Sequence, residues 1–140
     1  MNDKRLFVTG ASGFIGRHVV TRLLDNSHFL TLGDSPSYPS DWRTNPRIRI
    51  VGLQRLEQAQ DLTQALQGVS KIIHLAGLAH VAKADRDNAD EEFRSANVVA
   101  TANLVAAAAK AEIDTFINLS SLAAIVQNSV AYTITDETNG

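Results

Sequence analysis

Leu6-Phe7-Val8-Thr9-Gly10-Ala11-Ser12-Gly13-Phe14-Ile15-Gly16 decides how this chain folds. An apolar run ends on Thr9, a glycine-punctuated turn follows, and Phe14, Ile15, Val19, Val20, Leu23 and Leu24 then recur at helical spacing. Each glycine has its own task in a phosphate-binding turn. Gly10 lets the chain leave the strand at backbone angles a Cβ forbids. Gly13 clears a path for a pyrophosphate, and Gly16 lets the helix lie close against the strand. Free N–H groups from Ser12 to Ile15 and the positive helix end then offer an anion site. The rival phosphate loop needs Gly-x-x-x-x-Gly-Lys-Ser/Thr, which the chain lacks. A dinucleotide is the expected ligand.

Working outward, Arg5 to Thr9 reads as a buried strand and Gly13 to about Asn26 as the first helix. His28 to Gly33 is a second strand with Asp34 just past it. Asp34 to Pro46 holds all three prolines and reads as a surface loop. Ile48 to Val51 is a third strand. The Leu53, Leu56, Ala59, Leu62, Ala65, Leu66 pattern predicts a helix closed by Gly68. Lys71 to Ala76 is a fourth strand, Asp87 to Ala111 a long alanine-rich helix, and Thr115 to Ser120 a fifth strand. The expectation is one doubly wound α/β (Rossmann) domain, 1–140, with a mostly parallel sheet, strand order 3-2-1-4-5 and helices on both faces. Ser121 to Gly140 carries no clear element, so the sheet is expected to be cut short after its fifth strand.

At 140 residues with 44% apolar and 20% charged content, the chain is long enough to bury a core without staples. A net charge of −2 gives no electrostatic case for nucleic acid or an anionic membrane. The absence of cysteine excludes disulfides, thiolate metal sites and a cysteine nucleophile. With no signal peptide or long apolar run, a cytoplasmic location is the default reading. No metal is expected. His74 and His80 lack carboxylate or thiolate companions, and His74 reads as a structural, hydrogen-bonded histidine. The acidic cluster Asp85, Asp87, Asp90, Glu91 and Glu92 reads as a solvated helix cap.

Four stretches occur in order and carry a resemblance: Thr9 to Gly16, Ile72-Ile73-His74-Leu75-Ala76-Gly77, Asn97 to Leu104, and Phe116-Ile117-Asn118-Leu119-Ser120-Ser121. Together they resemble the extended short-chain dehydrogenase/reductases, in the NAD-dependent epimerase/dehydratase branch that acts on nucleotide sugars. His74-Leu75-Ala76 followed by Ala79-His80-Val81 is most similar to UDP-glucose 4-epimerase-like enzymes and reductases of bacterial polysaccharide biosynthesis. The resemblance implies NAD, a nucleotide-sugar substrate, hydride transfer to and from nicotinamide, and a homodimer built partly on the helix at 87–111.

Residue by residue, the resemblance implies that Gly10, Ser12, Gly13, Phe14, Ile15 and Gly16 hold the pyrophosphate. Asp34 would accept from the adenosine ribose hydroxyls and repel a 2′-phosphate, favouring NAD over NADP; as a turn-starting residue before Ser35-Pro36 it would need no ligand. Arg17 and Arg43 are phosphate partners if NADP is the cofactor. Leu75, Ala76 and Gly77 would graze the cofactor, and Ser120 would flank it. Asn97, mid-helix without a propensity reason, would prop the site by bonding backbone near the fourth strand. Asn103 reads as an exposed polar position. Ser121 matches the family's catalytic Ser/Thr, whose hydroxyl bonds the substrate. Ala100 stands where glycine is usual, and no acid follows Gly52 where the family places an adenine contact.

The largest departure concerns the family's Tyr-x-x-x-Lys acid/base pair. Tyr132 is followed four residues on by Asp136, and no lysine follows Lys110. That pair is expected beyond Gly140. The chain therefore reads as the dinucleotide-binding portion of a longer enzyme. The alternatives are a non-catalytic module that senses redox state, and an α/β domain whose glycine turn is purely structural.

Overall fold

The computed structural model describes residues 5–78 and 88–121. Their elements alternate: β1 (Arg5–Thr9), α1 (Phe14–Asp25), β2 (Phe29–Gly33), α2 (Ser40–Thr44), β3 (Ile48–Val51), α3 (Thr63–Leu66), β4 (Val69–His74), α4 (Ala89–Phe93), a π-helical turn (Arg94–Val99), α5 (Ala100–Lys110) and β5 (Thr115–Asn118). The strands form one parallel sheet in the order β3-β2-β1-β4-β5, the order expected from the sequence. β1 lies at its centre, so both its faces are buried and its run Leu6-Phe7-Val8 is apolar without alternation. Leu6 and Val8 pack with Ala11, Val20, Leu30, Leu32 and Trp42 on one face. Phe7 packs with Leu62, Ala65, Leu66, Ile72, Leu104 and Ala108 on the other. The two-faced expectation is met.

Element boundaries differ from the sequence reading in ways that have physical causes. β2 starts at Phe29, one residue later than expected, and β5 ends at Asn118 instead of Ser120. β4 starts at Val69 and ends at His74, not Ala76. Just past that end the Leu75 N–H divides between the Thr9 carbonyl at 3.3 Å and the Thr9 hydroxyl at 3.2 Å, and the Ala76 N–H turns to the same hydroxyl at 3.2 Å. The 34–46 stretch is not a bare loop. It contains α2, because Trp42 is only 5% exposed and carries that turn into the core.

The helix expected from Leu53 shrinks to Thr63–Leu66. The Gln60 side chain accepts from the Gln54 N–H and donates to the Gln54 and Arg55 carbonyls, so backbone groups a helix would use are already engaged. The long helix at 87–111 is interrupted by the π-helical turn, which holds Asn97. Asp90, Glu91 and Glu92 sit exposed in the first turn of α4, where negative charge favours a helix start. Asp85, Asp87 and His80 lie outside the described residues. Asn103 is half-buried, not exposed, and its Nδ2 donates to the Leu56 carbonyl at 3.0 Å.

His74, 1% exposed at the end of β4, ties three elements together. Its Nδ1 meets Thr9 Oγ1 of β1 at 2.6 Å, and its Nε2 meets Thr101 Oγ1 of α5 at 3.0 Å. Both ring nitrogens are therefore satisfied, as expected of a structural histidine.

Two outcomes follow from the buried polar groups. Burial lowers the His74 pKa, so the unfolded chain binds that proton before the folded one does. His74 then contributes full stability above the unfolded value of about 6.5, and stability is lost as pH falls through that value toward the depressed folded one. Melting temperatures between pH 8 and 5 should fall more steeply for the wild type than for His74→Gln; parallel slopes would contradict this. The Thr31 hydroxyl is fully buried and lacks a hydrogen-bond partner. Thr31→Val keeps its shape and removes the orphan, so chemical denaturation should show a gain of about 1 kcal/mol.

Candidate functional site

The carboxyl edge of the sheet collects the turn after β1, the tip of β2 and the segment after β4. Gly10 has φ +67°, and a Cβ there would lie 2.6 Å from the Ala76 nitrogen. A Cβ on Gly16 would lie 2.0 Å from the Gly10 carbonyl oxygen. Both positions therefore admit only glycine, and the turn is pressed against Leu75-Ala76 by backbone alone. Gly13 differs: a Cβ would meet only the Gly10 oxygen, at 3.3 Å. The Gly13 N–H donates to that oxygen at 3.0 Å, which closes the turn.

Gly13 starts α1 with extended backbone and supplies no side-chain cap, and α1 has no acid in its first turn. The helix thus keeps its positive end and uncapped N–H groups facing the edge. Phe14, 82% exposed, leans edge-on against His18 at 5.1 Å between ring centres, and Ile15 is also exposed. Arg17 spans from the Ser12 carbonyl at 3.0 Å to the Ser37 carbonyl at 2.6 Å. Its guanidinium is spent on fixing the turn to the loop after β2.

Asp34 is held at the tip of β2 by its own N–H, which donates to the Val51 carbonyl at 2.8 Å. Its exposed carboxylate accepts from Arg43 at 3.0 Å, and Arg43 also donates to the Ser35 carbonyl at 2.6 Å. Beside it, Tyr38 donates to the Gly33 carbonyl at 2.6 Å. Burial, with the Asp34 charge second, raises the Tyr38 pKa, so the phenol remains a neutral donor. These groups and the glycine turn border a cavity of about 390 Å³ whose wall includes Gly10, Ser12, Asp34, Tyr38, Leu53 and Ala76. A larger groove of about 910 Å³ lies between the 56–67 stretch and α5. It contains none of the glycine turn, Asp34 or Leu75–Gly77.

At the far side, both amide atoms of Asn97 clamp the segment after β4. Its Oδ1 accepts the Leu78 N–H at 2.8 Å and its Nδ2 donates to the Leu78 carbonyl at 3.0 Å. Gly77 passes directly under it, where a Cβ would come within 2.8 Å of Oδ1. The Leu119 N–H donates to the His74 carbonyl at 3.0 Å, so Ser120 and Ser121 leave the sheet beside Leu75. Both serines are exposed. Tyr132 lies outside the described residues.

The structure brings Gly10, Ser12, Asp34 and Ala76 to one cavity and carries Asn97, Gly77 and the two serines along the same edge. Sequence reasoning missed Thr9 as the acceptor for Leu75 and Ala76, and it missed Tyr38 and Leu53 as walls. Thr9 could have been flagged as a polar residue closing an otherwise apolar strand; Tyr38 gave no such signal.

A sequence model described as the NAD dependent epimerase/dehydratase family matches residues 6–138. The 3-beta-hydroxysteroid dehydrogenase of Mycolicibacterium neoaurum is 31% identical over 97% of this chain and 35% of its own length. A short-chain dehydrogenase/reductase superfamily protein from Agrobacterium tumefaciens, solved with bound NAD, superposes with a TM-score of 0.71 and is 31% identical, covering 97% of this chain and 38% of that one. UDP-glucuronic acid 4-epimerase from Bacillus cereus, solved with UDP-glucuronic acid and NAD, gives a TM-score of 0.69 and 27% identity over 92% of this chain and 44% of that one. The chain thus spans about a third of the curated relative's length, and the proteins it is similar to differ in substrate class. Among the described residues no helix is long and apolar enough to cross a membrane. With its parallel sheet, its glycine turn and a match running from residue 6 to residue 138, this chain belongs to the NAD dependent epimerase/dehydratase family.

Proposed function

We propose that this chain is the NAD-binding portion of an enzyme that oxidises a secondary alcohol of a nucleotide sugar or reduces the corresponding ketone, as an epimerase, dehydratase or reductase. The observation that carries the reading is the cavity at the carboxyl edge, where the glycine turn, Asp34 and Ala76 meet. The residues fit the group. Gly10 and Gly13 carry no side chain in the turn before the uncapped end of α1, and that end favours a pyrophosphate. Asp34 offers a carboxylate acceptor for ribose hydroxyls. Leu53 presents an apolar side chain next to Gly33, 3.2 Å from where a Cβ would stand, and so gives an adenine ring a surface in place of the missing acid. Bound here, nicotinamide would supply the hydride acceptor and donor.

The chain's own residues then orient and shield. Leu75 to Gly77 wall the cofactor, Asn97 fixes that wall, and Ser120 flanks it. Ser121 bonds the substrate oxygen from the adjoining edge. The acid/base tyrosine and its lysine belong to a further segment of the protein. The same reading includes a homodimer, for which Val98 and Val105 present exposed apolar side chains on the long helix.

Nucleotide sugars are favoured by the likeness to the UDP-glucuronic acid 4-epimerase. The steroid dehydrogenase relative supports a second substrate class for the same hydride chemistry. A panel of UDP-sugars and 3-hydroxysteroids with the whole enzyme decides between them: turnover of steroids alone would overturn the sugar reading.

NAD should raise the melting temperature more than NADP does, with about 2.7 kcal/mol of added stability at a hundredfold excess over Kd. Asp34→Asn should weaken NAD binding about tenfold, equivalent to one charge-assisted hydrogen bond, and narrow the preference over NADP. Equal or larger stabilisation by NADP would contradict the role given to Asp34. No shift with either nucleotide at millimolar concentration would remove the dinucleotide reading itself.

A further inference from the structure

The hydrogen bonds around His74 run in one direction only. Thr101 Oγ1 lies 2.6 Å from the Asn97 carbonyl, which can only accept, so the single Thr101 hydroxyl proton is spent there. Thr101 Oγ1 must then accept from His74, and the imidazole carries its proton on Nε2. The other end agrees. The N–H groups of Leu75 and Ala76 both donate to Thr9 Oγ1, so the Thr9 proton goes to Nδ1, which must be bare. One neutral tautomer satisfies every partner. A proton on Nδ1 would face a hydroxyl oxygen whose two acceptor positions are already taken.

The chain of bonds also closes on itself. Leu75 and Ala76 hang on Thr9, which bonds His74, which bonds Thr101, which bonds the Asn97 carbonyl. The Asn97 side chain in turn grips both polar groups of Leu78. Leu75–Leu78 is thereby held at its two ends by a ring of bonds that passes through one imidazole.

We infer that His74 is a positioning residue for the dinucleotide cradle, coupling the π-helical turn around Asn97 to the Leu75–Ala76 backbone that faces Gly10. The inference rests on the dinucleotide reading for its ligand, while the bond directions stand without it. Its informative variant is Thr101→Val, because the Thr101 hydroxyl bonds His74 and the Asn97 carbonyl and, among the described residues, makes no hydrogen bond to the glycine turn or to Leu75–Leu78.

Imidazole nitrogen NMR of the protein at pH 7.5 should show one neutral form with the proton on Nε2. Thr101→Val should weaken NAD about tenfold, the scale of one hydrogen bond converted to affinity, and accelerate amide exchange at Leu75, Ala76 and Leu78. Thr101→Ser, which keeps the hydroxyl, should restore both. Leu66→Ala, a core truncation away from the edge, should lower the melting temperature without changing NAD affinity.

A proton on Nδ1, a mixture of tautomers, or wild-type NAD affinity in Thr101→Val would overturn the inference. Equal weakening in Leu66→Ala would do so as well, since the effect would then be general destabilisation. If Thr101→Val does not fold, the wild-type tautomer and the Thr101→Ser affinity decide. If the wild type binds no NAD, the cofactor reading falls, and the tautomer and the amide exchange still decide the coupling.

Discussion

The carboxyl edge depends on one close backbone contact. The turn after β1 meets the end of β4 with no side chain between them, and a Cβ at Gly10 would sit 2.6 Å from the Ala76 nitrogen. α1 is then pulled against the same turn, leaving 2.0 Å between a Gly16 Cβ and the Gly10 oxygen. Such distances are far inside van der Waals contact, so any larger residue must shift backbone. The contact sets where the uncapped end of α1 lies and how far Leu75–Gly77 stands from it. The width of the cavity follows from these two separations.

Polar side chains along this edge are committed mainly to backbone. Arg17 bonds two carbonyls, Thr9 takes two N–H groups, Tyr38 holds the Gly33 carbonyl and Asn97 holds both groups of Leu78. Segments that leave a sheet lose ladder partners, and buried backbone groups without partners cost about 1–3 kcal/mol each. Using side chains to replace those partners lets irregular backbone stand at the edge in a fixed shape. A binding wall made of backbone needs that support, because it has no side-chain packing of its own.

The sheet was legible because its strands are apolar and separated by glycines at fixed places. Gly10 and Gly16 could be assigned their tasks from spacing set between an apolar strand and a helical pattern, and crossovers long enough for parallel pairing fit the strand order 3-2-1-4-5. What spacing could not supply were the long-range side-chain bonds. Leu53, Leu56, Ala59 and Leu62 have helical periodicity, yet Gln60 engages the backbone locally and only Thr63–Leu66 is helical. Trp42 among three prolines looked like loop until burial revealed it as a core residue. Asn97 was the reverse case: an amide without a propensity reason inside a helix pointed to a job, and the structure places both its atoms on Leu78. The π-helical turn around it has no periodic signature of its own.

Arg43 sharpens the question of cofactor at this edge. Its guanidinium lies 3.0 Å from Asp34 and 2.6 Å from the Ser35 carbonyl, with both side chains exposed. An exposed ion pair is worth about 0–1 kcal/mol, so a ribose can displace Arg43 from one carboxylate oxygen at small cost. A 2′-phosphate would instead have to overcome the Asp34 charge while gaining Arg43. Those two terms oppose each other; the sheet fixes the Asp34 backbone, through its N–H and the Val51 carbonyl, while the carboxylate itself is held by Arg43. The proposed preference for NAD therefore turns on whether the Asp34 charge or the Arg43 charge meets the 2′ position first.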